Sequence, residues 1–89
     1  MNMTSTAIEP GSTVRVGRKA FHVGAFGTQV SRVIILRQDD EEDSAIVHRV
    51  RRNGDWSGLT QIVRLSAIAD VQTVTVTPDG LIPELEEVQ

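Results

Sequence analysis

The chain has no cysteine and no tyrosine in 89 residues, and its only aromatic rings are two phenylalanines and one tryptophan. Without cysteine there is no disulfide framework, no thiolate metal site and no thiol nucleophile, which fits a reducing cytoplasm. No apolar run approaches the roughly 20 residues of a membrane-spanning helix, so no membrane partner is expected. The opening Met1-Asn2-Met3-Thr4-Ser5-Thr6 lacks the basic head and apolar stretch of a secretory signal. A chain this short supports one thin core, burying about 60% of its unfolded surface.

What is present is uneven charge. All nine cations fall in residues 11–65 beside six acids, five of them in the run Asp39-Asp40-Glu41-Glu42-Asp43. Residues 66–89 hold five acids and no cation, so a basic body carries an acidic loop and an acidic tail. Residues 1–10 read as a disordered lead that ends at the turn signal Pro10-Gly11, and residues 78–89 as an acidic tail, either a brief helix or mobile.

Between them, residues 11–77 read as strands. Thr13–Val16 alternates, and a glycine-punctuated loop follows from Gly17 to Gly27. Thr28–Gln38 is rich in β-branched residues and predicts a long, bent strand. The acidic run caps a hairpin, since five like charges stay hydrated. Ser44–Arg52 and Asp55–Leu65 flank Asn53-Gly54, a signal for a two-residue type I′ turn, with a bulge at Gly58. One helical turn at Leu65–Ala69 precedes a last strand, Val71–Thr77. Five short antiparallel strands define an all-β chain, best accommodated as a small barrel that hides its edges.

The stretch Gly11-Ser12-Thr13-Val14-Arg15-Val16 and then Phe21-His22-Val23-Gly24-Ala25-Phe26-Gly27-Thr28-Gln29-Val30 resembles the opening of SH3-like barrels of the KOW type. The resemblance implies a five-stranded SH3-like barrel with one short helical turn before the last strand, over roughly residues 11–76. Such barrels serve many functions, so fold alone assigns none. A narrower segment, Gln61-Ile62-Val63-Arg64-Leu65-Ser66-Ala67-Ile68-Ala69-Asp70-Val71, is similar to the closing part of type II dihydrofolate reductases, a pore-lining segment followed by an apolar turn. There Gln61 and Ile62 match the middle of a Val-Gln-Ile-Tyr pore segment. Thr60 and Val63 stand in place of the valine and tyrosine, and the family's pore lysine has no counterpart. That likeness implies the alternative of a homo-oligomeric, pore-type enzyme.

Counting outward from Asn53-Gly54, Arg52 faces Asp55 and Arg51 faces Trp56. Val47, Arg49 and Arg51 then share a face with Trp56, joined by Arg64, while Ile46, His48 and Val50 share the apolar face with Leu59. The first face is the leading binding candidate, because arginines pair phosphates and an indole offers a stacking surface. The structural alternative is that Arg51 simply covers Trp56 by a cation–π contact. The loop residues Phe21, His22 and Phe26 form a second candidate, with both rings serving as barrel plugs unless exposed. His22 and His48, without cysteine, make no metal site, and no catalytic set stands out. The glycine loop lacks the order that cradles phosphates, and the acidic run lacks the alternation and glycine of a calcium loop. The expectation is a non-catalytic binding or assembly module without cofactor, its partner a nucleic acid or a protein, and a homo-oligomer in which a second copy adds burial.

Overall fold

The computed structural model describes residues 8–56 and 60–86, with the Phe26 side chain excluded, so the Gly58 bulge and the place of Leu59 lie outside the described residues. Five antiparallel strands form one sheet: β1 (Thr13–His22), β2 (Thr28–Asp39), β3 (Ser44–Val50), β4 (Thr60–Arg64) and β5 (Ala69–Thr75). Their order across the sheet is β4-β3-β2-β1-β5. The chain therefore meanders from β1 to β4 and returns through a 3-10 turn at Leu65–Ala67 to place β5 on the outer side of β1.

The first strand runs six residues beyond the expected end at Val16, because Gly17 is a close-approach position rather than a loop signal. A Cβ there would collide with Ile68 Cγ2 and lie 3.0 Å from the Ala69 carbonyl oxygen. With no side chain in the way, β1 continues past the 3-10 turn and pairs Gly17 with Val33 and His22 with Thr28. The glycine loop shrinks to a second 3-10 turn, Gly24–Phe26. The bend expected in β2 is a register shift against β3 between Ile35 and Arg37.

The sheet is buried on both faces, not one. Phe21, Val33, Ala45 and Val47 form a cluster on one face, closed by Val63, Leu65 and Ile68. Val16, Ile34, Val50 and Val76 face the other way and are covered by Ile82 and Leu85. Two-sided burial explains why Val33-Ile34-Ile35-Leu36 is continuously apolar instead of alternating.

The cover on the second face is the C-terminal segment, which is neither a helix nor free. Residues 81–86 form neither helix nor strand and lie against the sheet, with Ile82 only 2% exposed. The Arg32 guanidinium donates to the carbonyls of Ile82 (2.6 Å) and Pro83 (2.8 Å), and also to those of Arg51 (3.1 Å) and Arg52 (2.9 Å). The Gln72 side-chain amide donates to the Glu86 carbonyl and accepts from the Glu86 N–H, and Ile82 N–H donates to the Gly54 carbonyl at 3.0 Å. Arg18 adds a longer bond to the Leu85 carbonyl. The strap is thus sewn down by polar side chains along its length as well as by its two apolar anchors.

The Asn53-Gly54 turn forms, but with three loop residues rather than two. Gly54 N–H donates to the Arg51 carbonyl (2.8 Å), and Arg51 N–H donates to the Asp55 carbonyl (2.7 Å). Gly54 sits at φ 95°, whereas Asn53 is not in the left-handed region, which excludes type I′. The Asn53 side-chain oxygen accepts from Asp55 N–H at 2.9 Å and fixes the loop. Arg51 opposes Asp55 at the turn, while His48 opposes Thr60 in the ladder. The return segment thus uses five residues where β3 uses three, so the simple count that set Trp56 against Arg51 fails.

Candidate functional site

Trp56 packs on the strap side of the sheet, against His48, with ring centroids 5.0 Å apart. Its indole N–H donates to the Gly80 carbonyl at 3.2 Å. Arg49 lies on the opposite face, its guanidinium 4.1 Å from the centre of the Phe21 ring. The expected face of Arg49, Arg51 and Trp56 is therefore split, because the longer loop sends the indole over the strap. The cation–π pairing expected at Trp56 is instead made on Phe21, by Arg49 and by Lys19 at 4.5 Å.

The arginines assemble at the far end of β3. Val50 is its last residue and pairs Arg32, so Thr28–Ser31 of β2 pair β1 on one side and have no strand on the other among the described residues. Two shallow grooves flank that open edge. One, of about 230 Å³, is lined by Arg18, Val30, Arg32 and Glu84. The other, of about 290 Å³, is lined by Arg49 and Arg51. Gln29, Ser31, Val50 and Arg52 border both. Five arginines thus surround the edge; Glu84 is the one carboxylate among the residues lining the grooves, and Asp70 and Asp55 pair two of the arginines from beside them.

Their charges are not equally available. Arg18 pairs Asp70 at 3.1 Å, and Arg51 pairs Asp55 at 2.7 Å. The Arg32 side chain is 10% exposed and engaged by four carbonyls, with Glu84 at 3.6 Å. Carbonyls carry no net charge, so Arg32 still contributes its field at the groove floor. Among the described residues, Arg49 bonds the Ser31 hydroxyl (3.3 Å) and stacks on the Phe21 ring and has no carboxylate partner. The Arg52 guanidinium is exposed and has no partner among the described residues. Arg49 and Arg52 are the cations best placed to meet an outside anion.

Of the remaining candidates, Phe21 is 8% exposed beneath Lys19 and Arg49, so it supports the arginine from below. His22 is exposed where β1 ends, and the Phe26 side chain lies outside the described residues. Arg64 pairs Ser44 at the other end of β3, beside Glu42 and Asp43, and does not join the site. The acidic run forms the β2–β3 tip. There Asp39 caps the amides of Glu41 and Glu42, and the Asp43 carboxylate accepts from the Ser66 amide and hydroxyl. Gln61 and Ile62 lie on edge strand β4, with Ile62 76% exposed.

Sequence reasoning missed Arg18, Gln29, Val30, Ser31, Arg32 and Arg52. A signal was present in Arg32, a lone cation interrupting the apolar positions Val30, Ile34 and Leu36 on one strand face. His48 is 2% exposed, with Nδ1 2.9 Å from the Thr60 hydroxyl and Nε2 without a partner among the described residues. Burial pushes its pKa below the ordinary 6.5.

Among the described residues no group of three or more potential ligands could hold a metal ion, and no helix is long and apolar enough to cross a membrane. Comparison with protein-family models, with curated proteins and with solved structures gives no match.

Proposed function

We propose that the chain is a non-catalytic SH3-like module that binds an anionic macromolecule along the two grooves at the open edge of β2. The strand order β4-β3-β2-β1-β5, with a 3-10 turn between β4 and β5, supports the SH3-like reading. The observation that carries the binding reading is the gathering of five arginines around Gln29–Ser31, of which Arg49 and Arg52 have no carboxylate partner among the described residues. Cationic clefts concentrate anions even on a molecule of net negative charge, because the field is local. At about 230 and 290 Å³ the grooves lie at or below the small end of the roughly 300–1,000 Å³ pockets that enclose small ligands, which favours an extended polymer contacted from one side.

The test is fluorescence anisotropy with labelled single- and double-stranded nucleic acid and with a labelled acidic peptide, each across a salt series. Binding that weakens as salt rises, and drops in Arg52→Ala and further in Arg49→Ala/Arg52→Ala, is the expected result. No binding of either polymer class at low salt overturns the reading. Exposed Ile62 on the β4 edge supports self-association as a second property, read by light scattering of the wild type and Ile62→Lys.

A further inference from the structure

We infer that the partner at this site is an extended acidic polypeptide segment that adds as a strand to the open edge of β2, with acidic and apolar residues alternating along it. The inference rests on the binding reading above and narrows it to one kind of polymer.

Three observations point to a peptide. The first is the edge itself. Beyond Val50 the chain leaves the sheet through the Arg51–Gly54 turn, so the lane beside Thr28–Ser31 where β3 would continue holds no strand among the described residues. Outward backbone N–H and C=O groups along such an edge are a template for another strand, about 4.8 Å away. A nucleic acid has no matching ladder to offer.

The second is how side chains divide across that edge. Val30, 61% exposed, lies in the groove where Arg18 already has Asp70 and Arg32 already has Glu84. The groove on the other face lacks Val30 and holds Arg49, which has no carboxylate partner among the described residues. Successive side chains of an added strand point to opposite faces. Carboxylates on alternate residues then meet Arg49 and Arg52, and the intervening apolar side chains cover Val30. The third is that neither Phe21 nor Trp56 offers a free face for stacked bases. Phe21 lies under Lys19 and Arg49, and the indole of Trp56 packs against His48 on the strap side.

The experiment uses the full chain and a blocked seven-residue peptide of alternating glutamate and valine. Two further versions carry backbone N-methyl groups, one on the glutamates and the other on the valines. Only alternate residues of an added strand turn their amides to the edge. One methylated version is therefore expected to lose about tenfold or more in affinity while the other binds like the parent. Arg52→Glu should weaken the parent peptide, and amide exchange should slow within 28–31 on binding. If both methylated peptides bind like the parent, charge alone holds the peptide and strand addition is wrong. If nucleic acid binds and the peptide does not, strand addition fails while the anionic-polymer reading stands. If neither binds, both fail.

Discussion

Replacing Arg32 by methionine isolates what holds the strap to the sheet. The change keeps most of the side-chain length but removes five N–H donors and one charge. Two of the four carbonyls lost as partners, those of Ile82 and Pro83, are partly buried, while those of Arg51 and Arg52 are exposed and can rehydrate. Charge-assisted hydrogen bonds contribute about 1.5–3 kcal/mol each, so the two partly buried ones set a cost of about 3–6 kcal/mol. The ion pair to Glu84 adds little, because that carboxylate is 83% exposed and 3.6 Å away. A domain of this size has about 4–13 kcal/mol in total, so the substitution removes a large share. Each kcal/mol moves the melting temperature of so small a domain by about 4–8 °C, which puts the expected drop at about 12 °C or more. Thermal unfolding followed by circular dichroism measures it, with Glu84→Gln as the control expected to shift by less than about 0.5 kcal/mol. If Arg32→Met melts within about 2 °C of the wild type, or Glu84→Gln costs as much, the carbonyl tethers do not hold the strap.

Gly54→Ala places a Cβ 2.8 Å from the Ile82 carbonyl oxygen at a residue with φ 95°. A loss of about 2 kcal/mol or more is expected in urea unfolding, since strain and contact add. At Gly17 no positive φ adds strain, and the cost comes from the collision with Ile68 and the close approach to the Ala69 carbonyl and Val71, so Gly17→Ala should cost about 1–3 kcal/mol by the same measurement. His48 has its pKa lowered by burial, so between its folded value and the ordinary 6.5 the unfolded chain binds the extra proton. Its contribution to stability is therefore complete above pH 6.5 and is lost as pH falls below that value toward the folded one. The urea midpoint should fall from pH 7.5 to pH 5.5, and His48→Asn should flatten that fall; an equal slope in both proteins refutes the assignment.

The strands were legible because β-branched residues dominate them, and Asn53-Gly54 announced its hairpin. The loop length was not, since Gly54 also serves as the landing point for Ile82, a constraint from 28 residues away. The split of Trp56 from Arg49 follows from that one extra loop residue. Period-two reasoning assumes a single buried face, and Val47 and His48, adjacent and both buried, break the assumption. The strap was read as tail because Leu81, Ile82 and Leu85 stand among proline and acids, with no periodicity to mark them. Arg49 and Arg51 were found as members of a basic strip, but Arg18, Arg32 and Arg52 join them only through strand pairing and the turn.

Nuclear magnetic resonance titration of the isotopically labelled chain with an acidic peptide and with a nucleic acid tests the assignment of the β2 edge at residue level. Shifts centred on the amides of Gln29, Val30 and Ser31 and on Arg52, fading as salt rises, are the predicted outcome. Shifts confined to β4 or to the acidic Asp39–Asp43 tip, or none at all, contradict it.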